Sequence, residues 1–161
     1  MKKSKKKPEH YVNNKDFTNA VVEHVKNVNE AKKHGKESPQ IPEYIGDSLL
    51  RIAKGLARKP NFFAYSYRDE MIMDGVENCV RAIHNYNINA ATRSGKPNAF
   101  AYFTQIIYFA FLRRIAKEKR QAEIKEKYIM ESNIESFLTD DLNTRSNYTM
   151  LEKMRVRHEN Y

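Results

Sequence analysis

From Phe100 to Phe111 the chain reads FAYFTQIIYFAF, with no Pro or Gly, and Arg113, Arg114, Lys117, Lys119 and Arg120 follow directly. Six of these twelve residues are aromatic, against eighteen in the whole chain, so any fold must organise around this one segment. It is too long for an ordinary strand and nothing in it breaks a helix. At roughly 100° per residue, Phe100, Thr104, Phe111, Leu112 and Ile115 share one side, while Tyr102, Phe103, Ile106, Ile107 and Arg113 spread over the other. A surface helix normally pairs an apolar stripe with a polar face, and this one is apolar on nearly every side. One side can build a core and the other needs a partner. The segment is either a central core helix ending in a solvated basic turn, or a helix whose second face takes unpaired nucleic-acid bases and their phosphates. Aromatic rings leading into Arg and Lys suit the latter.

The rest of the chain is helical in pattern. Asn13 or Asn14 can cap a first helix carrying Phe17, Val21, Val25 and Val28, ending near Gly35. Pro42 suits the first turn of a second, with Ile45, Leu49, Ile52, Ala53 and Leu56 as its stripe and Lys59-Pro60 as its stop. Ser66 can cap a third, with Asp69 at the capping-box position, running to about Asn85. Tyr86 to Pro97 reads as a loop, and the aromatic helix then runs from about Asn98 through Arg120 and on to Tyr128. Beyond it, Tyr148, Leu151 and Met154 form a weak amphipathic stretch. No β-branched run of period two appears. The class is all-α, with about four main helices plus a short C-terminal helical tail. Residues 1–12 read as a disordered basic arm, 13–128 as the helical domain and 129–161 as the partly helical tail.

Lys and Arg number 29 against 20 Asp and Glu, a net charge of +9. A basic surface of that size attracts nucleic acid, anionic membrane or an acidic protein. Cys79 is the single cysteine, so no disulfide can form within the chain, and a reducing compartment is expected. No apolar run reaches the length of a membrane span, and the Lys-rich start lacks the apolar stretch of a signal peptide.

Within this basic chain, Glu70, Asp74, Glu77 and Arg81 line one side of the third helix, opposite Ile72, Val76, Cys79 and Ile83. The acidic stripe admits three uses: a solvated face with Glu77–Arg81 as an i,i+4 pair, a docking face for a basic protein surface, or divalent-metal ligands for a nuclease. The five histidines show no ligand spacing, the five glycines are isolated, and Cys79 sits on an apolar face as an inert thiol would. Nothing proposes a reaction, so the chain reads as a binding protein without catalysis of its own, metal or cofactor.

The order EMIMDGVENCVRAI, short loop, NAFAYFTQIIYFAFLRRIAKEKR resembles the second conserved region of bacterial sigma factors. With YVNNK, IAKGLARKPNF, IHNY and AFLRRIAKE in the same order, Tyr11 to Lys127 is most similar to the late-transcription sigma factors of T-even-type bacteriophages. The resemblance implies a helical domain like that second sigma domain, acting in the cytoplasm of an infected bacterial host. It would bind host RNA polymerase core and melt an AT-rich minus-ten promoter element. The alternative is a stand-alone single-stranded nucleic-acid-binding protein, on the strength of the same aromatic-basic segment.

Laid over the residues, the resemblance assigns Glu70, Met73, Asp74 and Glu77 to a basic coiled coil of the largest polymerase subunit. Phe103 takes the place of the aromatic that stacks beneath a flipped non-template adenine. Ile106 and Ile107 stand where housekeeping sigma factors carry two tryptophans, and this chain has no Trp, so Tyr102 or Phe109 would compensate. Ala110, Arg113 and Arg114 face upstream bases and phosphates, with Lys117 and Arg120 as further DNA contacts. Members of the group end in a hydrophobic-acidic motif for the replication sliding clamp and use a late-transcription coactivator. Here the end is LEKMRVRHENY, and only Ile134–Leu138 shows a faintly similar pattern.

Overall fold

A computed structural model describes residues 12–89 and 95–131. The N-terminal arm through residue 11, and the stretches 134–138 and 148–154, lie outside the described residues. Four α-helices follow one another: α1 (Asn14–Lys33), α2 (Glu43–Ala57), α3 (Arg68–Ala82) and α4 (Ala99–Glu131), with a 3-10 turn (Ile83–Asn85) after α3. The described residues hold no strand, and the class is all-α. Two compact units divide within α4, the first through Arg114 and the second from Ile115.

Local chemistry places the helix ends. Asn13 caps α1, its side chain accepting from the Lys15 N–H at 3.0 Å. At the other end Gly35 sits at φ 62°, the left-handed conformation that costs glycine nothing. The Gly35 N–H donates to the Lys32 carbonyl and the Lys36 N–H to that of Ala31, which closes α1 in a Schellman motif. Pro42 is the N-cap of α2 rather than a member of its first turn. The expected Ser66 cap is absent: α3 starts one residue later, at Arg68, with Tyr67 as N-cap and no side-chain cap bond. Asp69 and Glu70 then lie in the first turn, where carboxylates suit the positive end of the helix. The α-helical part of α3 stops at Ala82, and the stretch toward Asn85 tightens into the 3-10 turn.

The core of the first unit uses the stripes the periodicity shows. Phe17, Val21, Val25 and Val28 of α1 and Ile45, Leu49, Ile52, Ala53 and Leu56 of α2 are all buried. Each fully buried Val, Leu, Ile or Phe side chain contributes about 1.5–3 kcal/mol. The long-range tie is polar: Thr18 Oγ1 donates to Asn14 Oδ1 at 3.2 Å and accepts the buried Ala99 N–H at 3.2 Å, which satisfies a donor at the start of α4. Gly75 lets α3 and α4 approach. A Cβ there would stand 3.0 Å from Ile107 Cγ2 and 3.2 Å from Phe111 Cε1. The described part of the second unit continues α4 through Glu131, with Ile124, Tyr128 and Met130 exposed. No described helix is long and apolar enough to cross a membrane.

Among the described residues, His24 is the polar misfit of this core. It is 3% exposed, and its Nε2 has no hydrogen-bond partner among the described residues. Burial, with repulsion from His84 second, holds its pKa below the ordinary histidine value. The unfolded chain therefore takes up a proton first as pH falls. Stability is complete well above the ordinary histidine value of about 6.5 and declines as pH falls below it. Denaturant midpoints on either side of that value check this: His24→Leu should flatten the decline, and an unchanged slope would contradict it.

Candidate nucleic-acid and partner-docking interface

The inward face of α4 is Ala99, Phe103, Ile107 and Ala110, at steps of four, four and three, flanked by Phe111; each is at most 2% exposed. The wheel drawn from the sequence set Phe111 opposite Phe103 and Ile107. The core face instead straddles those two groups, because α3 at Gly75 touches both Ile107 and Phe111. Phe103 packs edge-on to Phe17 at 5.9 Å and lies against Tyr86 at 6.2 Å and Tyr102 at 5.1 Å. Its carbonyl accepts the Cys79 thiol at 3.7 Å. Burial pushes that thiol's pKa up to about 12, which makes it inert.

Three of the residues expected to contact DNA, Phe103, Ile107 and Ala110, are buried in this structure. Phe103 has no exposed surface on which a base could stack, and Ile107 and Ala110 are equally closed to solvent. Adjacent helical residues point about 100° apart, so of the Ile106–Ile107 pair one faces out and the other in. Tyr102 and Ile106 are half-buried, Phe109 is 47% exposed, and Arg113 is exposed. At steps of four, three and four they share the solvent-facing side of α4. Tyr86, buried and 5.2 Å from Tyr102 between ring centres, backs that face. Lys117 and Arg120 fall in the second unit and are exposed there.

Arg114 and Asp74 are drawn together rather than left for separate partners. Arg114 Nε donates to Asp74 Oδ2 at 2.6 Å and its NH2 to Oδ1 at 2.8 Å, a bidentate fork with side chains 19% and 31% exposed. Beside it, Arg113 donates to Asn78 Oδ1 at 3.2 Å, and Asn78 Nδ2 donates to the Asp74 carbonyl at 2.6 Å. Within the acidic stripe, Glu77 pairs with Arg81 at 2.5 Å with both side chains well exposed, a contact of little energetic weight. Glu70 is exposed and Met73 is 61% exposed. Both Asp74 oxygens accept from Arg114, and the described residues contain no group of three His, Cys, Asp or Glu able to hold a metal. The stripe is thus an open ridge of Glu70, Met73 and Glu77 above a clasped Asp74.

Sequence reasoning missed Gly75, Asn78 and Tyr86. An isolated glycine inside a helical pattern does signal a close approach. Asn78 and Tyr86 act through partners that no local spacing marks. Neither a family model nor a curated protein matches the chain.

Proposed function

We propose that this chain is a sigma-type promoter-recognition subunit that carries host RNA polymerase core to an AT-rich minus-ten element during late phage transcription. The observation that carries the reading is the pairing of α3 and α4 through Asp74–Arg114 and Asn78–Arg113. One locked pair of helices presents an acidic-apolar ridge (Glu70, Met73, Glu77) and an aromatic-basic face (Tyr102, Ile106, Phe109, Arg113). The ridge suits a basic coiled coil of the polymerase, because complementary charge steers encounter and sets register. On the other face Phe109, with the Tyr108 ring 5.8 Å away, takes the stacking role, Tyr102 lies two turns back on the same face with Phe103 packed against it, and Arg113 meets phosphate. A late-transcription coactivator and a sliding clamp belong to the same proposal, as does action in the host cytoplasm.

The energetics favour a subunit over a lone binder. Capturing a base from duplex costs a few kcal/mol, about what one stacked ring returns. The balance tips when polymerase holds the DNA and when the sequence is AT-rich and deforms readily.

Transcription from a supercoiled template carrying an AT-rich minus-ten octamer, with bacterial core polymerase, tests this. Initiation should require the chain, and Glu70→Lys with Glu77→Lys should weaken binding to core by about tenfold or more, each tenfold being about 1.4 kcal/mol. Normal core affinity in that double variant would sink the docking assignment. Failure to initiate, alongside tight polymerase-free binding to single strands, would favour the stand-alone single-strand binder that the exposed Phe109 also fits.

A further inference from the structure

From Ser48 to Arg68 the chain contains no carboxylate and five cations, Arg51, Lys54, Arg58, Lys59 and Arg68. Three of them frame the connection between α2 and α3, which with Arg68, the first residue of α3, reads RKPNFFAYSYR. Arg58, Lys59 and Arg68 are exposed, and none makes an ion pair among the described residues. Four of the loop's ten residues, 58–67, are aromatic, far more than a solvated connector needs.

The loop is held in place by one ring and shows another to solvent. Phe62 is 3% exposed and packs edge-on against Phe111 at 5.2 Å and Tyr108 at 5.7 Å of α4. The Phe62 and Phe63 amides both donate to the Lys59 carbonyl, so the turn is defined. Phe63, the next residue, is 56% exposed. The Tyr65 and Tyr67 rings lie 5.2 Å apart. Through Phe62 the loop touches Tyr108, which is 40% exposed and whose ring is 5.8 Å from that of Phe109. Exposed rings therefore continue from the α4 face toward a loop that carries exposed Arg58 and Lys59.

We infer that loop 58–67 is a second contact for single-stranded nucleic acid, with Phe63 stacking on a base and Arg58 and Lys59 taking phosphates. Rings beside cations, without hydrogen-bond readout, are the chemistry of sequence-tolerant strand binding. The inference extends the proposed DNA face, but the loop's own affinity can be measured without polymerase.

The experiment is fluorescence anisotropy of the full chain on labelled oligo-dT across a salt series. Phe63→Ala should bind about fivefold or more weakly, the loss expected for one stacked base, with its thermal midpoint unchanged. Arg58→Gln with Lys59→Gln should lower the steepness of log affinity against log salt by about 1.4, at about 0.7 per phosphate contact on single strands. Equal binding by wild type and variants, or no binding by wild type at low salt, overturns the inference. Variants that keep strand affinity but lose affinity for core polymerase assign the loop to a protein partner, which overturns it equally. Failure of promoter initiation with the strand-binding differences intact would count against the sigma reading alone.

Discussion

Phe103→Ala is expected to cost about 3–5 kcal/mol of folding stability, the usual loss for emptying a buried phenylalanine site. Its ring is fully buried between Phe17, Tyr86 and Tyr102. Phe109→Ala is the counterpart. That ring is 47% exposed, so stability should change by no more than about 0.5 kcal/mol while promoter opening fails. Urea unfolding and transcription on both variants separate the two roles. A stable Phe103→Ala that nevertheless fails to open promoters would return the stacking role to Phe103 and show that the core face opens on DNA. The comparison matters because loss of function in Phe103→Ala alone carries two explanations.

Gly75→Val should be the next most damaging change. Even an alanine Cβ would meet Ile107 Cγ2 at 3.0 Å and Phe111 Cε1 at 3.2 Å, so the helix propensity that alanine adds, up to about 1 kcal/mol, is offset by crowding. Valine adds two further carbons to a closed space and should cost about 1–3 kcal/mol. Asp74 is the adjacent residue, and pushing α4 away there lengthens its fork to Arg114. A melting series of Gly75→Ala and Gly75→Val should show little change for the first and a clear fall for the second. Equal midpoints would mean that α3 and α4 do not rely on close approach at this point.

The two variants mark where local pattern stops being informative. The stripe of α1, the stripe of α2, the Asn13 cap and the turn at Gly35 follow from residues within one helical turn of each other, and the sequence shows them directly. The acidic ridge on α3 and the inert Cys79 were legible for the same reason. The Ser66 cap was not, because a one-residue shift in the start of α3 removes it and periodicity does not resolve ends that finely.

By its sequence alone this protein is all-helical, basic and built around one aromatic helix, since apolar spacing, charge and the absence of breakers are local properties of the chain. Which side of that helix faces inward was decided by tertiary structure. Gly75, Asp74 and Asn78 lie 32 to 40 residues from Ile107, Phe111, Arg113 and Arg114, and no helical period spans that distance. A helix apolar on every side has no preferred inner face of its own. Packing supplies one, burying Phe103 and Ile107 and leaving Phe109 and Arg113 in solvent.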